Sequence, residues 1–131
     1  MSIQDVLKDG QLNEGASSAA IPAAIAVLGR SLPSDYLQVI GEHDGGEGFI
    51  GNNYLIFWSS GELATFNHEY QVEQYAPGIV LFGSDGGGEG YGFDTREASM
   101  PAVRIPFIGM NIRYATRVAE NFNDLLVQLA K

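Results

Sequence analysis

Apolar positions along the chain follow two periods. Ile21, Ile25 and Leu28 fall at i, i+4 and i+7, which predicts a helix entered at Pro22 and stopped at Gly29. Leu32-Pro33 opens a second helix over Ser34–Glu42, with Tyr36, Leu37 and Ile40 as its apolar stripe. A third is expected over Glu62–Glu73, capped by Ser59 or Ser60, with Leu63, Phe66 and Tyr70 on one face. The last carries Phe122, Leu125, Leu126 and Leu129 behind an Asn121/Asp124 pair at capping-box spacing. Short apolar runs read as strands: Tyr54–Trp58, Gly78–Phe82, Tyr91–Asp94, Ala102–Ile105 and a final one over Asn111–Ala115.

Helices first, then strands clustered in the second half with short connections, predict an α+β domain with helices packed on an antiparallel sheet. Leu37, Ile40, Phe66, Leu81, Phe122, Leu126 and Leu129 are the expected core. Residues 1–18 are polar and small, with a short helix expected at Ile3–Lys8 and a linker-like tract at Asn13–Ser18. They read as an arm laid on the domain or partly disordered, leaving residues 19–131 as a single domain.

The densest glycine tract, Phe82–Asp94 (FGSDGGGEGYGFD), reads as two strands joined by a tight loop at Asp85–Gly90. It lacks the Gly-Lys-Ser/Thr ending of a phosphate loop, and Asp85 and Glu89 would repel phosphate. A dinucleotide fingerprint would open a helix, whereas a strand follows here. Counted as a calcium loop from Asp85, it puts Arg96 where a bidentate glutamate belongs. An acidic hairpin loop is the reading preferred over a ligand site. His43-Asp44-Gly45-Gly46-Glu47-Gly48 reads as a second glycine-acid loop.

The charge changes the picture. Sixteen acidic against seven basic residues leave a net charge of −9. Such a surface repels nucleic acid and anionic lipid and favours a basic protein partner, although acidity also serves solubility alone. With no cysteine, disulfide and thiolate chemistry are excluded, which fits a reducing cytoplasm. Met1–Gly10 has neither the basic start nor the apolar stretch of a signal peptide, and no apolar run reaches the ~20 residues of a membrane helix.

Catalytic chemistry finds little support. Ser34, Ser59 and Ser60 sit at helix starts, where capping explains them. His43 at a helix end and His68 within a helix carry no partnered motif. Asp44, Glu47, Glu62, Glu69, Asp85, Glu89 and Asp94 could pair as acid and base or hold a hard cation, but so many carboxylates pair by chance. No catalytic residue, cofactor or metal ligand is assigned. The candidate partner-binding residues are Asp44, Glu47, Asp85, Glu89 and Tyr91. Tyr54 and Tyr91 are the candidate aromatic anchors, against core burial as the ordinary role of each.

Several motifs together carry a resemblance. Leu32-Pro33-Ser34-Asp35-Tyr36 looks like the helix-opening element of the SUKH superfamily, which includes the Smi/Knr-type regulators of yeast cell-wall synthesis. Asp44–Gly48 sits where that superfamily carries an asparagine-glycine-glycine turn. Trp58-Ser59 with Glu62-Leu63, the Phe82–Glu89 hairpin and Phe122–Leu126 are similar to its later elements, in the same order. Asp44 for asparagine, Asn121 for serine and Leu125 at the second aromatic-or-acidic position depart from the pattern. The resemblance implies an α+β fold over roughly residues 20–130 and no shared catalytic set. For many bacterial members it implies an immunity protein that binds and blocks a cognate toxin, often a nuclease. The alternatives are a regulatory or scaffolding domain, or a carboxylate-based enzyme or cation-binding protein.

Overall fold

The short apolar runs pair in sequence order. The computed structural model of the protein describes residues 7–131. Its strands are β1 (Leu7–Leu12), β2 (Gly46–Ile50), β3 (Asn53–Phe57), β4 (Ile79–Ser84), β5 (Glu89–Asp94), β6 (Ala102–Pro106) and β7 (Thr116–Ala119). They form one seven-stranded sheet in the order β1-β2-β3-β4-β5-β6-β7, with every neighbouring pair antiparallel. The helices packed against it are α1 (Ala20–Leu28), α2 (Ser34–Glu42), α3 (Ser60–Glu69), the single turn α4 (Val72–Tyr75) and α5 (Phe122–Ala130). The architecture is the expected α+β one, and β4 and β5 pair as the expected hairpin.

Each longer helix has an identifiable start or stop. Gly29 ends α1 in the left-handed region at φ 71°, its N–H bonding the Ile25 carbonyl. Ser59 and Glu62 form a capping box at the start of α3. Asn121 Oδ1 accepts from Asp124 N–H at 2.7 Å to start α5, while Asp124 reaches back to the Glu120 N–H. The start of α2 differs from expectation. Pro33 holds the cap position without a side-chain bond, so Ser34 is the first helical residue. Asp35 instead accepts from the Tyr36 and Asn123 N–H groups, at 2.8 and 3.0 Å, tying α2 to the first turn of α5.

The core lies on both faces of the sheet. On one, Tyr36 of α2, Phe82 of β4, Phe93 of β5 and Phe122 of α5 pack ring against ring, with centroids 4.9–6.3 Å apart. Leu125, Leu126 and Leu129 extend this layer along α5. Gly90 and Gly92 alternate with Phe93 along β5 and so face the other way. There Leu81 and Phe107 fill the space a Cβ would occupy. Phe107 stacks on Tyr70 (4.5 Å), and Trp58 packs on Phe66 (4.8 Å) and more loosely on Tyr70, making an aromatic row between α3 and the sheet.

Strand β4 is buried along its whole length. Its ladder with β3 is short, Ile56↔Ser84 and Phe57↔Gly83, which leaves the Leu81 backbone without a strand partner on that side. Asn67 of α3 supplies one. Its amide donates to the Leu81 carbonyl at 2.8 Å and its carbonyl accepts from the Leu81 N–H at 2.9 Å. Buried backbone groups must be paired, so this side chain stands in for a strand. Gly83 lies where β4 meets β3, and a Cβ there would collide with the Ile56 carbonyl.

Several local expectations are corrected. Leu7 and Lys8 lie in β1, not in a helix; the rest of Ile3–Lys8 is outside the described residues. Residues 46–48 are not loop but the start of β2, because Gly46, Glu47 and Gly48 pair with Phe57, Ile56 and Leu55. The helix expected over 62–73 breaks at Gln71, which adopts φ 54° and separates α3 from α4. Residues 112–114 form a 3-10 turn on the Asn111 cap, and the last strand comes at Thr116–Ala119. Leu37 and Phe66 are only partly buried. In α2 it is Val39, not Leu37, that completes the buried face with Tyr36 and Ile40.

Leu126 is fully buried, so Leu126→Ala should destabilise the fold by roughly 2–5 kcal/mol in denaturant unfolding. A loss below about 1 kcal/mol would contradict its place in the core. Tyr36 gives the opposite expectation. Its hydroxyl is buried with no partner among the described residues, and burial, with the Asp44 charge, holds its phenol far above the ordinary range. Tyr36→Phe should therefore leave stability unchanged or raise it by up to ~1 kcal/mol, whereas a comparable loss would reveal a hydrogen bond made by this hydroxyl.

Candidate partner-binding face

The β4–β5 loop is held by its own aspartate. Asp85 Oδ1 accepts from the Gly87 and Glu89 N–H groups, at 2.7 and 3.2 Å, and the Ser84 hydroxyl accepts from Gly86 N–H at 3.2 Å. Side-chain bonds of this kind fix a tight loop with little apolar contact. Tyr91 pairs with Arg104 across the β5–β6 ladder and is near enough to feel the charges of Asp85 and Glu89. Burial pushes the Tyr91 phenol up, Arg104 opposes this, and the two carboxylates add to it. Tyr91 itself is buried, 3% exposed, so it offers no aromatic surface to a partner.

The exposed aromatic surface lies one strand pair away. Phe49 and Tyr54 face each other across β2 and β3, edge to face at 4.9 Å, with Phe49 51% exposed. Tyr54 joins the two acidic regions. Its hydroxyl donates a short hydrogen bond to Glu47, and its ring lies beside Gly86 of the β4–β5 loop. The pairing Ile56↔Ser84 places Tyr54 there, because continuing the ladder by two residues reaches the loop. Glu47, Phe49, Tyr54 and Ile56 share one face by strand alternation.

Asp44 has a different position. Its carboxylate accepts from the Ser60 N–H at 2.6 Å and from the Ser60 hydroxyl at 3.0 Å, at the first residue of α3. A carboxylate at a helix N-terminus meets free N–H groups and the positive end of the dipole. His43, the C-cap of α2, lies with Nδ1 3.1 Å from the Asn13 carbonyl. The structure thus joins Glu47 to Tyr54 and sets Gly86 of the acidic loop against the Tyr54 ring, leaves Asp85 and Glu89 on the Tyr91 side of that loop, and commits Asp44 to the frame. The sequence reading missed Phe49. Its signal was the alternation of Glu47 and Phe49 against Tyr54 and Ile56, hidden because glycines at 45, 46 and 48 made the stretch resemble a loop.

Among the described residues, no group of three or more histidines and carboxylates comes together in a way that could hold a metal ion. Among the same residues, no helix is long and apolar enough to cross a membrane. The model of the SMI1 / KNR4 family (SUKH-1) matches residues 15–128, and the chain belongs to that family. A comparison with curated proteins finds no match.

The Tyr54–Glu47 bond has a measurable consequence. The hydrogen bond to Glu47, with burial and the charge of Glu47, holds the Tyr54 phenol protonated above its ordinary value of 10.0. In a pH titration followed by tyrosine-resolved NMR, Tyr54 should titrate above 10.0, and Glu47→Gln should bring it down toward that value. A titration identical in the two proteins would separate Glu47 from Tyr54.

Proposed function

We propose that this member of the SMI1 / KNR4 family is a non-enzymatic binding protein of the cytoplasm, an immunity protein that binds and neutralises a cognate bacterial toxin. Family membership supports a protein-interaction domain in general, and toxin neutralisation is the specific form proposed here. One observation carries it: Glu47 bonds Tyr54 beside the exposed Phe49, and the acidic β4–β5 loop meets the same Tyr54 ring at Gly86, in a chain of net charge −9. Aromatic anchors rimmed by carboxylates suit a basic protein surface. A nuclease toxin presents such a surface because it binds phosphates. An acidic inhibitor would cover it, with association speeded by electrostatic steering. Asp44 enters this reading as a support for α3 rather than as a contact.

The test is capture of the product of the gene directly upstream, followed by stopped-flow association at low and moderate salt. Glu47→Lys with Glu89→Lys should slow association about tenfold or more at low salt and change dissociation much less. Phe49→Ala should instead speed dissociation, as loss of a central anchor does. Circular dichroism serves as the folding control. Salt-independent association, untouched by either charge reversal, would remove the acidic face from the mechanism.

A further inference from the structure

A groove of about 320 Å3 opens beside this face, between β1–β3 and α3. That volume is at the lower end of the ~300–1,000 Å3 range of small-ligand sites. Trp58 and Phe66 supply an aromatic wall, Gln11 and Asn13 lie on the β1 side, and Glu47 and Glu62 place carboxylates on it. Neither glutamate is in a salt bridge among the described residues, and no lysine or arginine is among the described residues that line the groove. Each carboxylate uses one oxygen locally: Glu62 Oε1 accepts from the Ser59 N–H at 2.9 Å, and Glu47 Oε2 from the Tyr54 hydroxyl. The other oxygen of each makes no hydrogen bond among the described residues.

We infer that this groove receives an arginine side chain presented by a basic protein. The inference rests on the partner-binding reading above and names the group recognised at its centre. Two carboxylates on an aromatic-walled groove with no cation among its described lining residues leave a charge deficit that one cation fills. Arginine suits it better than lysine. Its planar guanidinium stacks on ring faces and presents several N–H donors at once, while an ammonium is a compact, strongly hydrated point charge. The amides of Gln11 and Asn13 can accept further N–H bonds at the rim. Glu47 belongs to both the groove and the sheet face that carries exposed Phe49 and partly exposed Tyr54, so an arginine seated here leaves its backbone beside the aromatic anchors.

The chain's one tryptophan is Trp58, so its fluorescence reports on the groove directly. The intact chain is titrated with N-acetyl-arginine amide, with its neutral analogue N-acetyl-citrulline amide, and with N-acetyl-lysine amide. A saturable change with the arginine probe, roughly millimolar for so small a ligand, and little or none with the others is expected. Glu62→Gln keeps a capping residue at the start of α3 while removing the charge, and should weaken the arginine probe about tenfold. Glu69→Gln, which makes the same change of net charge at the far end of α3, should leave it unchanged. An equal response to citrulline or lysine, or equal weakening by Glu69→Gln, would overturn the inference in favour of unspecific charge. With a captured partner, Glu62→Gln should speed dissociation, and an unchanged rate would show that the partner does not use the groove. Probe binding without any captured basic partner would count against the immunity reading while leaving the guanidinium site standing.

Discussion

Strand β4 is the constraint on which the rest of the structure depends. It is buried along its length, so each of its backbone polar groups must find a partner inside the protein. β5 serves one edge through Ile79–Ser84, with a register shift between Leu81 and Gly83. β3 serves only the end of the other edge, and Asn67 completes it at Leu81. The position of α3 is therefore set by hydrogen bonding as well as by the packing of Leu63. Ser59, Glu62 and Asp44 then hold the first turn of that helix. Groove and partner face both inherit their geometry from this arrangement, because α3 forms one wall and the β3–β4 ladder places the acidic loop beside Tyr54.

The acidic residues differ in what they bond. Asp35, Asp44, Asp85 and Asp124 accept backbone N–H bonds and serve as fasteners for loops and helix starts. Asp94 pairs with Arg96, whose hydrogen bond and charge hold its carboxyl below the ordinary range, an effect only partly offset by burial. That pair contributes stability at neutral pH, and the contribution is lost as pH falls through the lowered value. Glu47 and Glu89 remain without a basic partner in a salt bridge among the described residues.

Family membership and the face account for different parts of the molecule. The family match covers residues 15–128, and so includes the helices and the sheet from β2 onward. The Phe49–Tyr54 pair and the groove beside it are built by the side chains this chain places on that frame. A fold shared across a family does not select a partner; the aromatic and charged side chains on its surface do.

Local pattern alone determined much of this protein. The apolar spacing of α2 and α5, the hairpin around the glycine tract, the stop at Gly29 and the capping at Ser59 and Asn121 were legible, because each depends on residues within one or two turns of the chain. The acidity and the antiparallel α+β class were legible for the same reason. Tertiary structure decided the rest. Glycines at 45, 46 and 48 hid β2, which is a strand because β1 and β3 lie on either side of it. Tyr91 and Phe49 are both aromatics in glycine-rich stretches, yet one is buried between β4 and β6 and the other stands in solvent. Asp44 and Glu47 are three positions apart, and only the approach of Ser60 to one and Tyr54 to the other sets one at the start of a helix and the other on the sheet face. Periodicity reports which positions share a face, whereas exposure and charge pairing depend on what distant segments bring to that face.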